Sequence, residues 1–338
     1  MKKNIFRITA LLVALAILAT AVAGMFGSQI VSAQAMTSAR SMCTIEMSTG
    51  RILYAQNADA KIPMASTTKI VTAIAAIEGA EEKGIDIDTK IKVNDKAVGI
   101  EGTSIYLQKG EELTIRELLY GLMLRSGNDC GVALAYMIDG DNAKFCERMQ
   151  QVSQKAGATN SNYKNAHGLD EDGHYTTARD LAKITAYAMK NPVFAEIAKT
   201  KEYKIDGVEY PRVLQNKNRL LRSLDGCVGV KTGFTKKAGR CYVGAREFDG
   251  MTVICVVLNC GPMFEECEAI MKRAANEFKM TPILTEDQFI NDMQAIATEN
   301  FAYPIKSTDN LDISIEEDRV FVKLNNDLIH QSEVLAIQ

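Results

Sequence analysis

The chain contains no Cys-x-x-Cys pair, no low-complexity tract, no internal repeat and no excess of positive charge. Each absence removes a class of function. Its three histidines and its carboxylates show no ligand spacing, so neither a zinc site nor any other metal or cofactor is expected. A net charge of −3 lacks the basic face that a nucleic-acid binder carries. What is present is ordinary for a globular protein: 47% apolar and 24% charged residues. At 338 residues the chain can hold one large domain or two unequal ones, with ample core.

Acid is missing altogether from residues 1–35. Lys2, Lys3 and Arg7 precede an apolar run from Ile8 to Phe26, and Ala33-Gln34-Ala35 follows. That layout predicts an export signal cleaved after Ala35. The run is long for a signal, so an uncleaved anchor giving membrane association is the alternative. Either way the remainder is expected to work outside the cytoplasmic membrane, at its outer face or in the cell wall. The eight cysteines are scattered, and most of them read as small core residues. A two-residue turn at Asp249-Gly250 would set Cys241 opposite Leu258 and Cys255 opposite Gly244, with the two thiols on opposite faces.

Strand-like runs at Met42–Met47 and Arg51–Gln56 flank Ser-Thr-Gly and predict a hairpin. The stretch Pro63 to Glu78 is apolar on nearly every side after Lys69, which predicts a helix buried inside a domain. Thr114-Ile-Arg-Glu117 is a capping box opening a helix through Leu124. The pattern breaks at Ser126-Gly127-Asn128 and resumes from Cys130 to Ile138. A long loop is expected over Gly157–Gly173 and a helix over Thr177–Met189. Strands follow at Cys227–Thr232, Arg240–Phe248 and Met251–Asn259, then a helix at Phe264–Phe278. Strands at both ends with helices between predict an α+β fold: an antiparallel sheet, closed by pairing its first and last segments, flanked by helices with a helical subdomain. The expected division is 1–35, 36–280 and a small β-containing appendage at 281–338. That appendage would hold a helix near Glu286–Thr298 and two alternating segments, Leu311–Ile315 and Val320–Leu324.

Ser66 and Lys69 stand one turn apart at the start of the buried helix, on the same face, as a nucleophile and its own base would. Ser-x-x-Lys alone is weak, since Ser161-Asn-Tyr-Lys164 also matches inside an Asn-rich loop. For Lys69 to act as a base, its pKa must fall from ~10.4 to near neutrality, against a cost of roughly 4 kcal/mol. Burial and a second cation both act in that direction, and Lys231 is the expected cation. Ser126-Gly127-Asn128 sits at a helix break, where side chains can enter a cleft. Lys231-Thr232-Gly233 ends a strand, and Gly233 would let a substrate backbone approach. His167 and His174 invite a Ser–His reading, but their Gly/Asp-rich loop and the presence of Lys69 count against it.

Ser66-x-x-Lys69, Ser126-x-Asn128 and Lys231-Thr232-Gly233, in that order, resemble the penicillin-binding proteins and serine β-lactamases. More narrowly, the chain is similar to the low-molecular-weight D-alanyl-D-alanine carboxypeptidases of peptidase family S11. Supporting stretches are Gly50-Arg-Ile-Leu-Tyr-Ala-Gln-Asn57, Asn165-Ala-His-Gly-Leu169, His174-Tyr-Thr-Thr-Ala-Arg-Asp180, Asn216-Lys-Asn-Arg-Leu-Leu221 and Gly229-Val-Lys-Thr-Gly-Phe-Thr235. The resemblance covers roughly residues 36–280. It implies a β-lactamase/transpeptidase-like fold, peptidoglycan stem peptides as substrates and β-lactam antibiotics as covalent inhibitors. It also implies roles: Ser66 as nucleophile, Lys69 as base, and Ser126 as proton relay to the leaving D-alanine. Asn128 would hold a substrate amide, Lys231 and Thr232 the terminal carboxylate, and the Ser66 and Phe234 N–H groups the oxyanion.

The chain also departs from that pattern. Many relatives have an arginine after the last core strand that helps hold the carboxylate, whereas Cys260 to Glu268 contains none and carries Glu265 and Glu266. Arg240 or Lys236 are the candidates to replace it. The tail is too short for both a second β domain and an amphipathic membrane helix. A D,D-transpeptidase, a β-lactamase and a catalytically silent wall-binding protein remain alternatives. No Glu-x-x-Leu-Asn loop lies between Asn128 and Lys231 to activate a deacylating water, which argues against rapid drug hydrolysis.

Overall fold

The computed structural model describes residues 36–290 and 295–336. The expected export segment lies outside them. Strands β1 (Ser41–Glu46) and β2 (Ile52–Gln56) form the hairpin read from the sequence. Two small separate pairs follow, β3 (Lys90–Lys92) with β4 (Glu112–Thr114) and β5 (Glu202–Ile205) with β6 (Arg212–Gln215). Strands β7 (Cys227–Thr235), β8 (Gly239–Phe248) and β9 (Met251–Leu258) join β1 and β2 in one antiparallel sheet, ordered β2-β1-β9-β8-β7. The first strand therefore pairs with the last, Thr44 opposite Cys255.

Both faces of this sheet are covered, which is why β9 is apolar without a break from Val253 to Leu258. Ile254, Val256 and Leu258 join one core, with the helix Ala178–Met189. Val253, Cys255 and Val257 join the other, with the helix Met263–Glu277. Gly244 stands opposite Cys255, and Cys241 and Cys255 fall in different cores, as the turn register requires. All eight cysteines are free thiols.

The helix read around Ser66 begins as a 3-10 turn, Ala65–Thr68, and continues as Lys69–Glu82. Eleven of its fourteen α-helical residues are buried, because helices Asn128–Asp139, Asn142–Lys155 and Ala178–Met189 surround it. The capping box forms in full: Thr114 Oγ1 accepts from Glu117 N–H at 3.0 Å, and the Glu117 carboxylate accepts from Thr114 N–H at 2.8 Å. Thr114→Ala is expected to cost about 1 kcal/mol. Thermal unfolding should show it as a fall in Tm of roughly 2–4 °C; an unchanged Tm would mean the box contributes nothing.

The tail is a β unit with its own small core. Strands β10 (Phe278–Leu284) and β12 (Phe301–Lys306) pair. A four-stranded sheet is ordered β11 (Ala295–Ala297), β15 (Asp327–Ala336), β14 (Arg319–Leu324), β13 (Leu311–Glu316). The two alternating segments are β13 and β14, side by side. The helix expected near Glu286–Thr298 is not found among the described residues. Residues 286–290 form a turn and an isolated bridge, and Ala295–Ala297 is a strand on β15. Ala295 and Ala297 are buried on one side of that strand, so the short segment follows a period of two. Arg51, in the β1–β2 hairpin, pairs with Asp309 at 2.8 Å and donates to Pro304 O, tying the appendage to the main sheet.

Candidate active site

Ser66 lies in the 3-10 turn, held by its neighbours' hydroxyls. Thr67 Oγ1 donates to Met64 O at 2.6 Å and Thr68 Oγ1 to Ala65 O at 2.8 Å. Ala65 takes a left-handed φ of +48°, so the chain kinks just before the nucleophile. Ser126 is presented differently. The helix Ile115–Tyr120 widens into a π turn, Gly121–Arg125, and Ser126 caps it at φ +66°. Such wide turns recur at functional sites because they re-aim one side chain out of the helix. Asp129, fully buried, then clamps the facing loop by accepting from Ile105 N–H, Leu107 N–H and the Ser104 hydroxyl. This brings Thr103 to the site, where its carbonyl accepts from Asn128 N–H at 2.7 Å.

A cleft of about 390 Å³ results, lined by Ser66, Ser126, Thr232, Gly233 and Phe234 from the three sequence motifs. Thr103, Lys217, Met263 and Phe264 complete its wall. Lys69, Asn128 and Lys231 lie beneath its surface, each at most 3% exposed. The three distant motifs therefore meet, whereas Ser161 of the second Ser-x-x-Lys match is engaged with Asp180 and Thr176.

Lys69 Nζ has three acceptors around it: Ser66 Oγ at 3.0 Å, Asn128 Oδ1 at 2.7 Å and the His167 carbonyl at 2.5 Å. Burial pushes its pKa down to about 7, and the charge of Lys217 acts in the same direction. Burial was the expected cause; the second cation is Lys217 rather than Lys231. Lys69 in turn opposes the charging of Lys231. Lys231, fully buried, is pushed well below the ordinary lysine range by desolvation first and by Lys69 and Lys217 next. Its Nζ donates to Thr232 O at 2.9 Å.

Two of the expected residues also hold the site itself together. Asn128 does not line the cleft. Its carbonyl oxygen accepts from Lys69, and its amide donates to Glu101 O at 2.7 Å, so it holds the base. Gly233 also serves the protein itself: a Cβ there would stand 3.0 Å from the backbone nitrogens of both Ser66 and Thr67. A side chain would push the strand or the nucleophile's turn aside by a few tenths of an ångström.

Lys217 was missed from sequence. It lies between Asn216 and Asn218, whose side chains brace the turn: Asn218 N–H donates to Asn216 Oδ1, and Lys217 N–H reaches Leu124 O in the π turn. Burial lowers its pKa, with Arg125 adding to the effect. Arg240 and Lys236, the candidates to replace the missing arginine, are not in the cleft wall. Glu265 is engaged with Arg219, whose guanidinium lies 4.6 Å from the Phe264 ring centre. Neither histidine ring reaches Ser66. His167 contributes its carbonyl, while its ring accepts from Leu169 N–H. His174 faces Thr68.

Residues 28–261 match the family of peptidase S11, D-alanyl-D-alanine carboxypeptidase. The chain is 31% identical to the D-alanyl-D-alanine carboxypeptidase DacF of Bacillus subtilis, over 75% of this chain and 66% of that protein. It thus spans just under two thirds of that relative's length. Among solved structures, a serine-to-alanine mutant of the Streptomyces K15 DD-transpeptidase is 30% identical with a TM-score of 0.65, covering 71% of this chain and 97% of that one. The D-alanyl-D-alanine carboxypeptidase DacD of Francisella tularensis shares the fold at 22% identity and a TM-score of 0.74, over 89% of this chain and 93% of that one. The chain belongs to the S11 family of D-alanyl-D-alanine carboxypeptidases.

Proposed function

We propose that this protein is a serine D,D-carboxypeptidase that removes the terminal D-alanine from peptidoglycan stem pentapeptides through an acyl-enzyme on Ser66. The observation that carries this reading is the set of acceptors on Lys69 Nζ. A neutral amine has two N–H groups and one lone pair. With its N–H groups held by Asn128 Oδ1 and the His167 carbonyl, the lone pair faces the Ser66 hydroxyl. With a pKa of about 7, roughly half of the lysine is in that form at neutral pH.

Lys69 would take the Ser66 proton as Oγ attacks the D-Ala–D-Ala carbonyl. The Ser66 and Phe234 N–H groups would bind the oxyanion, the first favoured by its place at a helix start. Ser126 would pass the proton to the departing D-alanine nitrogen. Lys231, Thr232 and Lys217 would hold the terminal carboxylate, Lys217 supplying the charge that relatives draw from an arginine. A water then releases the peptide. A protein acting on such substrates would work on the outer face of the cell membrane or in the wall, and residues 1–35 would supply any membrane attachment. No helix among the described residues is long and apolar enough to cross a membrane.

A second reading is transpeptidation, which uses the same acyl-enzyme with an amine as acceptor; the K15 relative is named for that activity. Mass spectrometry of protein treated with penicillin, followed by peptide mapping, tests the shared step. One covalent adduct on Ser66 and D-alanine release from a pentapeptide are expected. An amine acceptor consumed into a longer product would favour the second reading, and absence of an adduct would favour a silent wall-binding protein. Release of the drug as fast as it binds would point to a β-lactamase.

A further inference from the structure

His174 is 5% exposed and its ring nitrogens are both engaged away from the reacting atoms. Lys164 N–H donates to Nδ1 at 3.0 Å. Nδ1 therefore carries no proton, and the neutral ring holds its proton on Nε2. Nε2 lies 2.9 Å from Thr68 Oγ1, so it is the donor there. That leaves the Thr68 hydroxyl proton for Ala65 O, 2.8 Å away. The three bonds point one way, from backbone N–H through imidazole and hydroxyl to a backbone carbonyl.

The carbonyl at the end of this chain belongs to the peptide unit joining Ala65 to Ser66. In a trans peptide the C=O and N–H lie in one plane and point to opposite sides. Fixing Ala65 O therefore fixes where Ser66 N–H points, and polarising the carbonyl makes that N–H a stronger donor. The fixing is needed, because Ala65 holds a left-handed φ of +48°, a conformation unfavourable for an L-residue. We infer that His174, acting through Thr68, is a positioning residue that aims and strengthens the Ser66 N–H as an oxyanion donor. The inference rests on the reading of Ser66 as the acylated nucleophile.

The ring's surroundings keep this relay in place. Tyr163 packs edge-on at 6.1 Å, and His174 N–H donates to Glu171 O at 3.0 Å. Burial holds the imidazole neutral with a pKa of about 4; Lys69 acts in the same direction, and Glu171 and Asp170 oppose it. A protonated ring could not accept from Lys164 N–H.

Four variants test the relay: Thr68→Val and His174→Leu break it, while Thr68→Ser and His174→Gln keep the hydroxyl or the side-chain donor and acceptor. Two quantities are read on penicillin: the acylation rate constant at saturation against the dissociation constant of the initial complex, and the infrared stretch of the isotope-labelled acyl-ester carbonyl. Complete loss of an oxyanion donor costs about 10²–10³-fold, so a misaimed one is expected to cost roughly tenfold in acylation. The Val and Leu variants should show that loss and a carbonyl band at higher wavenumber, with initial binding unchanged. The Ser and Gln variants should restore both. An unshifted band in Thr68→Val, which preserves side-chain shape and tests the relay even if His174→Leu does not fold, overturns the inference. Absence of any Ser66 ester in the unsubstituted protein overturns the function reading instead, and this inference with it.

Discussion

Lys69→Arg is expected to lower penicillin acylation of Ser66 by about 10³-fold, the scale of a lost general base. The substitution keeps a positive charge beside the nucleophile and removes the ability to give up a proton, since a guanidinium stays charged in proteins. It separates a base from a fixed cation. Lys69→Ala should fall as far, because it also leaves Asn128 Oδ1 and the His167 carbonyl without their donor. The unsubstituted protein supplies an independent check through pH. Lys69 is active when neutral, and burial sets its pKa at about 7. Acylation should therefore rise about tenfold per pH unit below that value and level off above it. A flat profile between pH ~5 and roughly 9, or an arginine variant acylated at near-normal rate, would remove Lys69 from the base role.

The Lys69 reading came from two sources of different reach. That Ser66 and Lys69 share a face follows from helical spacing, and that Lys69 is buried follows from the apolar run behind it; the structure shows both. The sheet was equally legible, since strand alternation and the Asp249-Gly250 turn fix a register in which a one-residue slip would reverse every side chain. What sequence does not carry is which backbone group meets which side chain across the site. The His167 carbonyl on Lys69 and the Ala65 carbonyl under Thr68 depend on loop paths, and a carbonyl has no residue identity. Lys217 was hidden for a related reason. Its place in the cleft is set by Asn216, Asn218 and a bond to Leu124 O, none of which has a periodicity. The tail misled because Phe289, Ile290, Met293, Ile296 and Ala297 recur at helical spacing, while Ala295 and Ala297 alone also fit the period of a strand.

Gly168→Ala should have the largest effect on the fold of any single methyl group added near the site. Gly168 holds φ +88°, and a Cβ there would stand 2.0 Å from Ala65 O, 2.5 Å from Ala65 C and 2.8 Å from Thr68 Oγ1. The first two are backbone atoms, which cannot rotate away. The left-handed conformation alone costs about 1–2 kcal/mol, and forcing extra volume into a packed site adds about 1–3 kcal/mol. Together these predict a fall in Tm of roughly 10 °C. Activity should suffer more than stability. Gly168 lies next to the carbonyl that holds Lys69 and against the one that orients the Ser66 peptide, so relief of the clash must displace the base, the oxyanion donor or both. A displacement near ~1 Å is enough for about a 10²-fold loss of acylation. Gly50→Ala provides the comparison: its φ is +70°, but a Cβ there meets nothing within 4 Å. That variant should lose only the conformational part of the stability and keep its full acylation rate. If the two substitutions behaved alike, the contact of the Asn165–Leu169 loop with the nucleophile's turn would have no part in setting the geometry of the reaction.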